Sequence, residues 1–288
     1  MHRNLKLAIA ILNGYPKTSR ERFDAANVGH PHDMYARFLR SYVPQATLDV
    51  LFIADLDNAL PTGTNLRSYD AYIWTGSDLT IYHTDDARVT RQVELARAIF
   101  EAGVPCYGSC WGIQMAAYAA GGEVHKNPKG REWSIARHIT RTDAGKTHPL
   151  LAGKPDVYDG FIMHLDEVAT LPRGATLLAV NEHTHVQALE VKHKNGTFWA
   201  TQYHPEYNFY EMARLISARA EPLVKEGFFA SADDVQAYAD AMFALHANPD
   251  DPALRERFAV GPDILDPLYR EAELRNWIDA LVIPARRH

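Results

Sequence analysis

The chain has 288 residues, of which 47% are hydrophobic and 23% charged, enough for one large domain or a domain with an appendage. A net charge of −6 without any long Lys or Arg run argues against a nucleic-acid partner, and no apolar stretch is long enough to cross a bilayer. Two cysteines, Cys106 and Cys110, exclude a disulfide framework and fit a reducing cytoplasm.

The first two-thirds of the sequence alternates short apolar runs with amphipathic stretches. Leu5–Leu12 reads as a buried first strand rather than a signal peptide, because Asn13-Gly14-Tyr15-Pro16 follows with no small-residue cleavage site. Gly14 to Asp33 reads as a long polar connection: a surface loop, a substrate lid, or a metal site using His30, His32 and Asp33. Met34–Val43 carries Met34, Phe38, Leu39 and Tyr42 on one helical face. Ala46–Ile53 and Ala71–Thr75 read as strands, and Arg88–Glu101 as a helix with the stripe Val89, Val93, Ala96 and Phe100. Val104–Tyr107 is expected as a strand and Cys110–Ala120 as a helix. This rhythm predicts an α/β layered domain with a mostly parallel central sheet.

After Gly121-Gly122 shorter strands are expected at Ser134–Thr140, Thr176–Val180, Val186–Lys192 and Thr197–Tyr203, with Asn195-Gly196 as a hairpin signal. From about Tyr207 the pattern is helical. Ser231 is placed to cap one helix, and Leu274, Trp277, Ile278 and Leu281 form an apolar face on the last one. The expected organisation is therefore a domain over residues 1–207 and a helical C-terminal extension over 208–288, its apolar stripe buried on that domain in preference to a partner subunit.

Chemistry concentrates in two motifs. Gly108-Ser109-Cys110-Trp111-Gly112 is a G-x-C-x-G nucleophile elbow, in which a strand turns sharply into a helix and exposes the central side chain beside backbone N–H groups. The positive end of the helix dipole favours a thiolate there, and the N–H groups can hold an oxyanion. Cys106, four residues earlier in the apolar strand, reads as a core residue. The second motif, Gln202-Tyr203-His204-Pro205-Glu206, delivers a histidine and a carboxylate at the end of another strand. A thiol nucleophile needs such a base, and the base needs an acidic partner to orient it.

With these blocks in order, the sequence resembles the class I (triad) glutamine amidotransferases, especially free-standing proteins similar to the amidotransferase domain of GMP synthase. The resemblance covers roughly residues 5 to 207. Trp74-Thr75-Gly76-Ser77 sits where that family has its first glycine-rich oxyanion loop. Gly130-Arg131-Glu132-Trp133 resembles the loop beside its glutamine pocket, and Met163-His164-Leu165-Asp166 its His-x-Asp block.

The resemblance implies a three-layer, flavodoxin-like fold and a Cys110–His204–Glu206 triad. It further implies an oxyanion hole from the N–H groups of Gly76 and Trp111, and substrate contacts by Gln114, Glu132, Trp133 and His164. No metal or cofactor is required in this scheme. There are departures. Ser109 stands where the family has an apolar residue, and Ser134 where a glycine is common. His183 and His185 are expected on one face, at the site mouth, on a metal, or in solvent.

Three functions are compatible with this reading. The first is a glutaminase-type amidotransferase acting on glutamine and passing ammonia to a separate synthetase subunit. The second is a stand-alone hydrolase or peptidase of another γ-glutamyl compound. The third is a binding protein that has kept the fold without the chemistry.

Overall fold

Apolar side chains alternate along the strands and build a separate core on each face of one sheet. The computed structural model describes residue 2 and residues 4–286. In chain order its strands are β1 (Ala8–Asn13), β2 (Thr47–Phe52), β3 (Ala71–Trp74), β4 (Cys106–Ser109), β5 (Glu123–Lys126), β6 (Glu132–Arg141), β7 (Val157–His164), β8 (Asp166–Thr170), β9 (Ala175–Val180), β10 (Ala188–His193) and β11 (Gly196–Thr201). The helices that matter below are α1 (Lys17–Ala25), α2 (Pro31–Tyr42), α3 (Ala87–Ala102), α4 (Trp111–Ala119), α5 (Asp143–Thr147), α6 (Phe209–Ala218), α7 (Ala220–Lys225) and α8 (Ala232–Ala247).

The main sheet has the order β2-β1-β3-β4-β11-β10-β9-β6-β7, and β5 pairs with β8 in a small second sheet. From β2 to β11 neighbouring strands are parallel, and from β11 to β7 they are antiparallel. This is an α/β fold with a mixed central sheet whose parallel part holds the first strands.

Side-chain direction alternates along each strand. Ile9, Ile11, Ile73, Tyr107 and Trp199 enter one core with Tyr35, Phe38 and Leu39 of α2. Ala10, Leu12, Trp74, Cys106 and Phe198 enter the opposite core with Val89, Val93, Ala96 and Phe100 of α3. A third core joins Ile135 and Phe161 to Met212, Leu215 and Ile216 of α6 and to Val235 and Met242 of α8. Ser231 caps α8 by accepting the Asp234 N–H.

Several expectations change on contact with the fold. Gly14 to Asp33 is not a loop: it contains α1, and α2 starts at Pro31. Strands β5, β7 and β8 were not expected from the sequence pattern. In the β10–β11 hairpin His193 pairs with Gly196, so the two turn residues are Lys194 and Asn195, with Lys194 at φ 53°. Gly196 lies within the strand instead, where a Cβ would come 2.9 Å from the Phe100 Cα.

The last apolar stripe is also altered. Helix Ala272–Trp277 continues into a π-helical turn, Ile278–Val282. Widening the helix rotates the later positions, so Val282 is buried with Leu274, Trp277 and Ile278 while Leu281 is only partly covered. This stripe packs on the same core as α2, on the opposite face from α3. Among the described residues no helix is long and apolar enough to cross a membrane.

Candidate active site

Parallel strands that start together also end together, so β1, β3, β4 and β11 deliver their C-terminal residues to one edge. On that edge Ser109 pairs with Thr201, and the Cys110 N–H donates to the Thr201 carbonyl at 2.8 Å. The two motifs, distant in sequence, become neighbours through this register.

The turn at Cys110 is tight. Cys110 has φ 53° and ψ −99°, a backbone conformation that side-chain-bearing residues rarely hold. Gly108 and Gly112 make it feasible: a Cβ on Gly108 would sit 2.8 Å from the Gly112 Cα. Trp111 is the first residue of α4, so its N–H has no partner within the helix. Gly76 adjoins the same point, since a Cβ there would lie 3.5 Å from His204 Cε1. The Cys110 thiol points to the Met163 carbonyl, 3.7 Å away. Cys106 lies in the apolar core, where burial pushes its thiol well above the ordinary range.

His204 and Glu206 are both buried, and Nδ1 of the ring meets Glu206 Oε1 at 2.7 Å. Burial favours a neutral ring. The Glu206 carboxylate and the neighbouring Cys110 thiol outweigh that effect and push the His204 pKa up to about 10. Tyr207 packs on the ring with centroids 4.7 Å apart.

Ser109 is part of this arrangement. Its hydroxyl donates to Glu206 Oε1 at 2.8 Å and stands 2.6 Å from the Tyr35 hydroxyl. A serine has a single proton to give, so Tyr35 must be the donor in the second bond. Tyr35 of α2 therefore braces Ser109, which braces the carboxylate, which holds the histidine. The departure from the family pattern at position 109 thus carries a polar link that an apolar residue lacks.

A cavity of about 160 Å³ opens beside Cys110 and His204. Gln114 and His164 line it, together with Tyr15, Asp78, Arg131, Asp166 and Arg219. Gln114 is fixed by a bond from Nε2 to the Asp166 carbonyl at 3.0 Å. Tyr15 is buried at the wall, and that burial raises its pKa.

The structure does not bring Glu132 and Trp133 to this cavity. The Glu132 carboxylate lies behind it, 3.0 Å from His164 Nε2, and accepts from Asn181, Thr184 and Gln187 at 2.6, 2.9 and 3.0 Å. Burial alone would raise its pKa, but the His164 bond and the other donors hold it below the usual carboxylate value. Trp133 packs on Phe228, Phe229 and Tyr238 with centroid distances of 5.4, 5.1 and 5.4 Å. Both residues line a separate, wider cavity of about 920 Å³. Arg131, just before β6, is the residue of this segment that lines both cavities. Ser134 has φ 64°, a left-handed conformation that explains why a glycine is common in the family at this position.

The His30 and His32 rings stack with centroids 5.1 Å apart. His30 bonds Asp24 at 2.8 Å and His32 bonds Asn13 at 2.7 Å. His183 contacts Asn127 and Thr184, while His185 is exposed. Among the described residues no group of three or more His, Cys, Asp or Glu is arranged to hold a metal ion. Sequence reasoning had no signal for Tyr35, Tyr15, Tyr207 or Arg219, which reach the site only through tertiary packing.

Residues 82–218 match the family described as Glutamine amidotransferase class-I. Over 289 aligned residues, 98% of this chain and 95% of the relative, the sequence is 33% identical to a γ-glutamyl-L-1-hydroxyisopropylamide hydrolase from a Pseudomonas species. The chain belongs to the class I glutamine amidotransferase family. Within the family it is a class I glutamine amidotransferase-like hydrolase. The glutamine-hydrolysing GMP synthase of Thermosipho africanus is 34% identical over 108 residues, covering 38% of this chain and 20% of the synthase. A glutamine amidotransferase structure from Thermotoga maritima superposes with a TM-score of 0.64 at 18% identity, over 96% of this chain and 98% of that one, a likeness of fold.

Proposed function

We propose that this class I glutamine amidotransferase-like hydrolase cleaves a γ-glutamyl amide through a thioester on Cys110, working alone rather than feeding ammonia to a synthetase. The observation that carries the chemistry is Cys110 on its strained turn beside a His204–Glu206 pair, opening into a small polar cavity. The near full-length likeness to a γ-glutamyl amide hydrolase supports the stand-alone reading over glutaminase service to a synthetase.

In this mechanism His204 takes the Cys110 proton and the thiolate adds to the γ-carbonyl carbon. The N–H groups of Gly76 and Trp111 receive the resulting oxyanion. Collapse of the intermediate breaks the C–N bond, and the imidazolium of His204 donates its proton to the leaving amine. Water then gives a proton to His204 and attacks the thioester. Collapse returns the thiol and releases glutamate. Glu206 keeps Nδ1 occupied so that Nε2 faces the reacting groups. Gln114 and backbone near His164 hold the amino-acid end of the substrate, while Glu132 steadies His164 from behind.

The test is release of glutamate from a panel containing glutamine, γ-glutamyl alkylamides and γ-glutamyl amino alcohols. Turnover of the substituted amides at a kcat/KM at least tenfold above glutamine supports the stand-alone reading. A preference for glutamine would return the chain to ammonia supply.

A further inference from the structure

Four charged side chains besides His204 line the cavity at Cys110, and three of them are occupied. Asp78 accepts from Ser19 and Arg22, each at 3.0 Å. Arg131 makes a two-bond pair with Glu226 at 2.7 and 2.8 Å. Asp166 accepts from the Tyr82 hydroxyl at 3.1 Å. The fourth, Arg219, forms no ion pair or side-chain hydrogen bond among the described residues.

Arg219 is the residue that ends α6. Leu215, one turn earlier on the same helix face, lines the cavity as well, so the last turn of α6 forms a wall of the site. The helix itself begins three residues after Glu206, which fixes its position relative to the triad. A half-covered guanidinium lining a small cavity, with the nearby Glu226 carboxylate already held by Arg131, is a ready partner for a planar anion, which it can grip with two parallel bonds.

Resting on the γ-glutamyl reading above, the geometry points to Arg219 as the residue that binds the α-carboxylate of the γ-glutamyl group and so sets acyl specificity. The anchor comes from outside the part of the chain that the family match covers, which ends at residue 218. The likeness to the amide hydrolase runs through this region and over 98% of the chain, whereas that to the Thermosipho GMP synthase covers 38%. The C-terminal helical segment therefore contributes to substrate choice as well as to packing.

The test uses the full chain with Arg219→Met and Arg219→Lys. Kinetics are compared on a γ-glutamyl amide and on the matching 4-aminobutanoyl amide, which lacks only the α-carboxylate. Wild type should prefer the γ-glutamyl substrate strongly. Arg219→Met should raise its KM about 10- to 100-fold, with a smaller change in kcat, while leaving the 4-aminobutanoyl amide unaffected. Arg219→Lys should recover part of the loss. Undiminished discrimination in Arg219→Met overturns the assignment, as does an equal loss on both substrates, which would mark a purely structural role. Wild-type protein that cleaves no γ-glutamyl amide would instead remove the underlying functional reading, a result distinct from either.

Discussion

The parallel strand edge and the helical segment after Phe209 meet at one cavity, but they contribute to it in different ways. The edge supplies Cys110, His204 and Glu206 from two short motifs whose backbone geometry is written locally, in glycines and strand ends. The helical segment supplies Leu215 and Arg219 through packing, with nothing in their immediate sequence that marks them. In the proposed mechanism, reaction type is carried by local motifs, while recognition depends on how a distant element is laid against them.

Substitutions can break or sharpen this contrast. The largest effect is expected at the nucleophile: Cys110→Ala should lower kcat/KM by about 10⁴-fold or more with an unchanged circular dichroism spectrum. Cys106→Ala, in the apolar core on the other side of the strand, should keep activity within about threefold. A dead Cys106 variant with an active Cys110 variant would reverse the assignment. His204→Asn should match Cys110→Ala in its cost, because triad members act as a unit.

Glu206→Gln should cost less, about 10²-fold, and should also move the pH profile. Together with the Cys110 thiol, the carboxylate raises the His204 pKa to about 10, so the pair keeps the imidazolium present up to alkaline pH. Removing the Glu206 charge leaves only Cys110 to oppose burial, which lowers the pKa. The descending limb of kcat/KM against pH should therefore fall well below pH 10 in Glu206→Gln. An unshifted limb would separate Glu206 from the histidine. Ser109→Ala should bring a several-fold loss in rate without lowering that limb, since it removes one of two donors to the Glu206 carboxylate but leaves the carboxylate's charge beside the ring.

The smallest effect on chemistry is expected from the packing residues of the helical segment. Trp277 is fully buried, and Trp277→Ala should cost about 3–5 kcal/mol of stability by denaturant unfolding while leaving kcat/KM within about threefold at low temperature. Loss of activity out of proportion to loss of folded protein would show that this helix also tunes the site.

How much was legible in sequence follows the same division. The strands β1, β3, β4 and β11 declare themselves as short apolar runs, buried at nearly every position, and the helices α2 and α3 by apolar residues recurring at 3.6 positions. Helix α1 does not, since only Ser19 and Phe23 among its nine residues are buried, which leaves no stripe to read. Strand β7 is obscured by Asp159 and by Gly160, whose missing side chain makes room for the Tyr203 ring, where a Cβ would lie 3.0 Å away. Strand β5 buries only Val124.

At the site, Gly108 to Gln114 and Gln202 to Glu206 mark themselves by spacing. Resemblance to a loop places Glu132 and Trp133 at the substrate, whereas β6 commits Glu132 to His164 and Trp133 to an aromatic cluster with Phe228, Phe229 and Tyr238. The link from Tyr35 through Ser109 to Glu206 spans residues far apart in sequence, so only its anomalous serine was visible beforehand.

The most direct measurement is mass spectrometry of protein quenched in acid during turnover of a γ-glutamyl amide, followed by peptide mapping. A γ-glutamyl adduct on the peptide bearing Cys110, absent from Cys110→Ala, is the predicted result. Continued glutamate release with the adduct on Cys106, or from the Cys110→Ala protein itself, would contradict a thioester mechanism at the Cys110 turn.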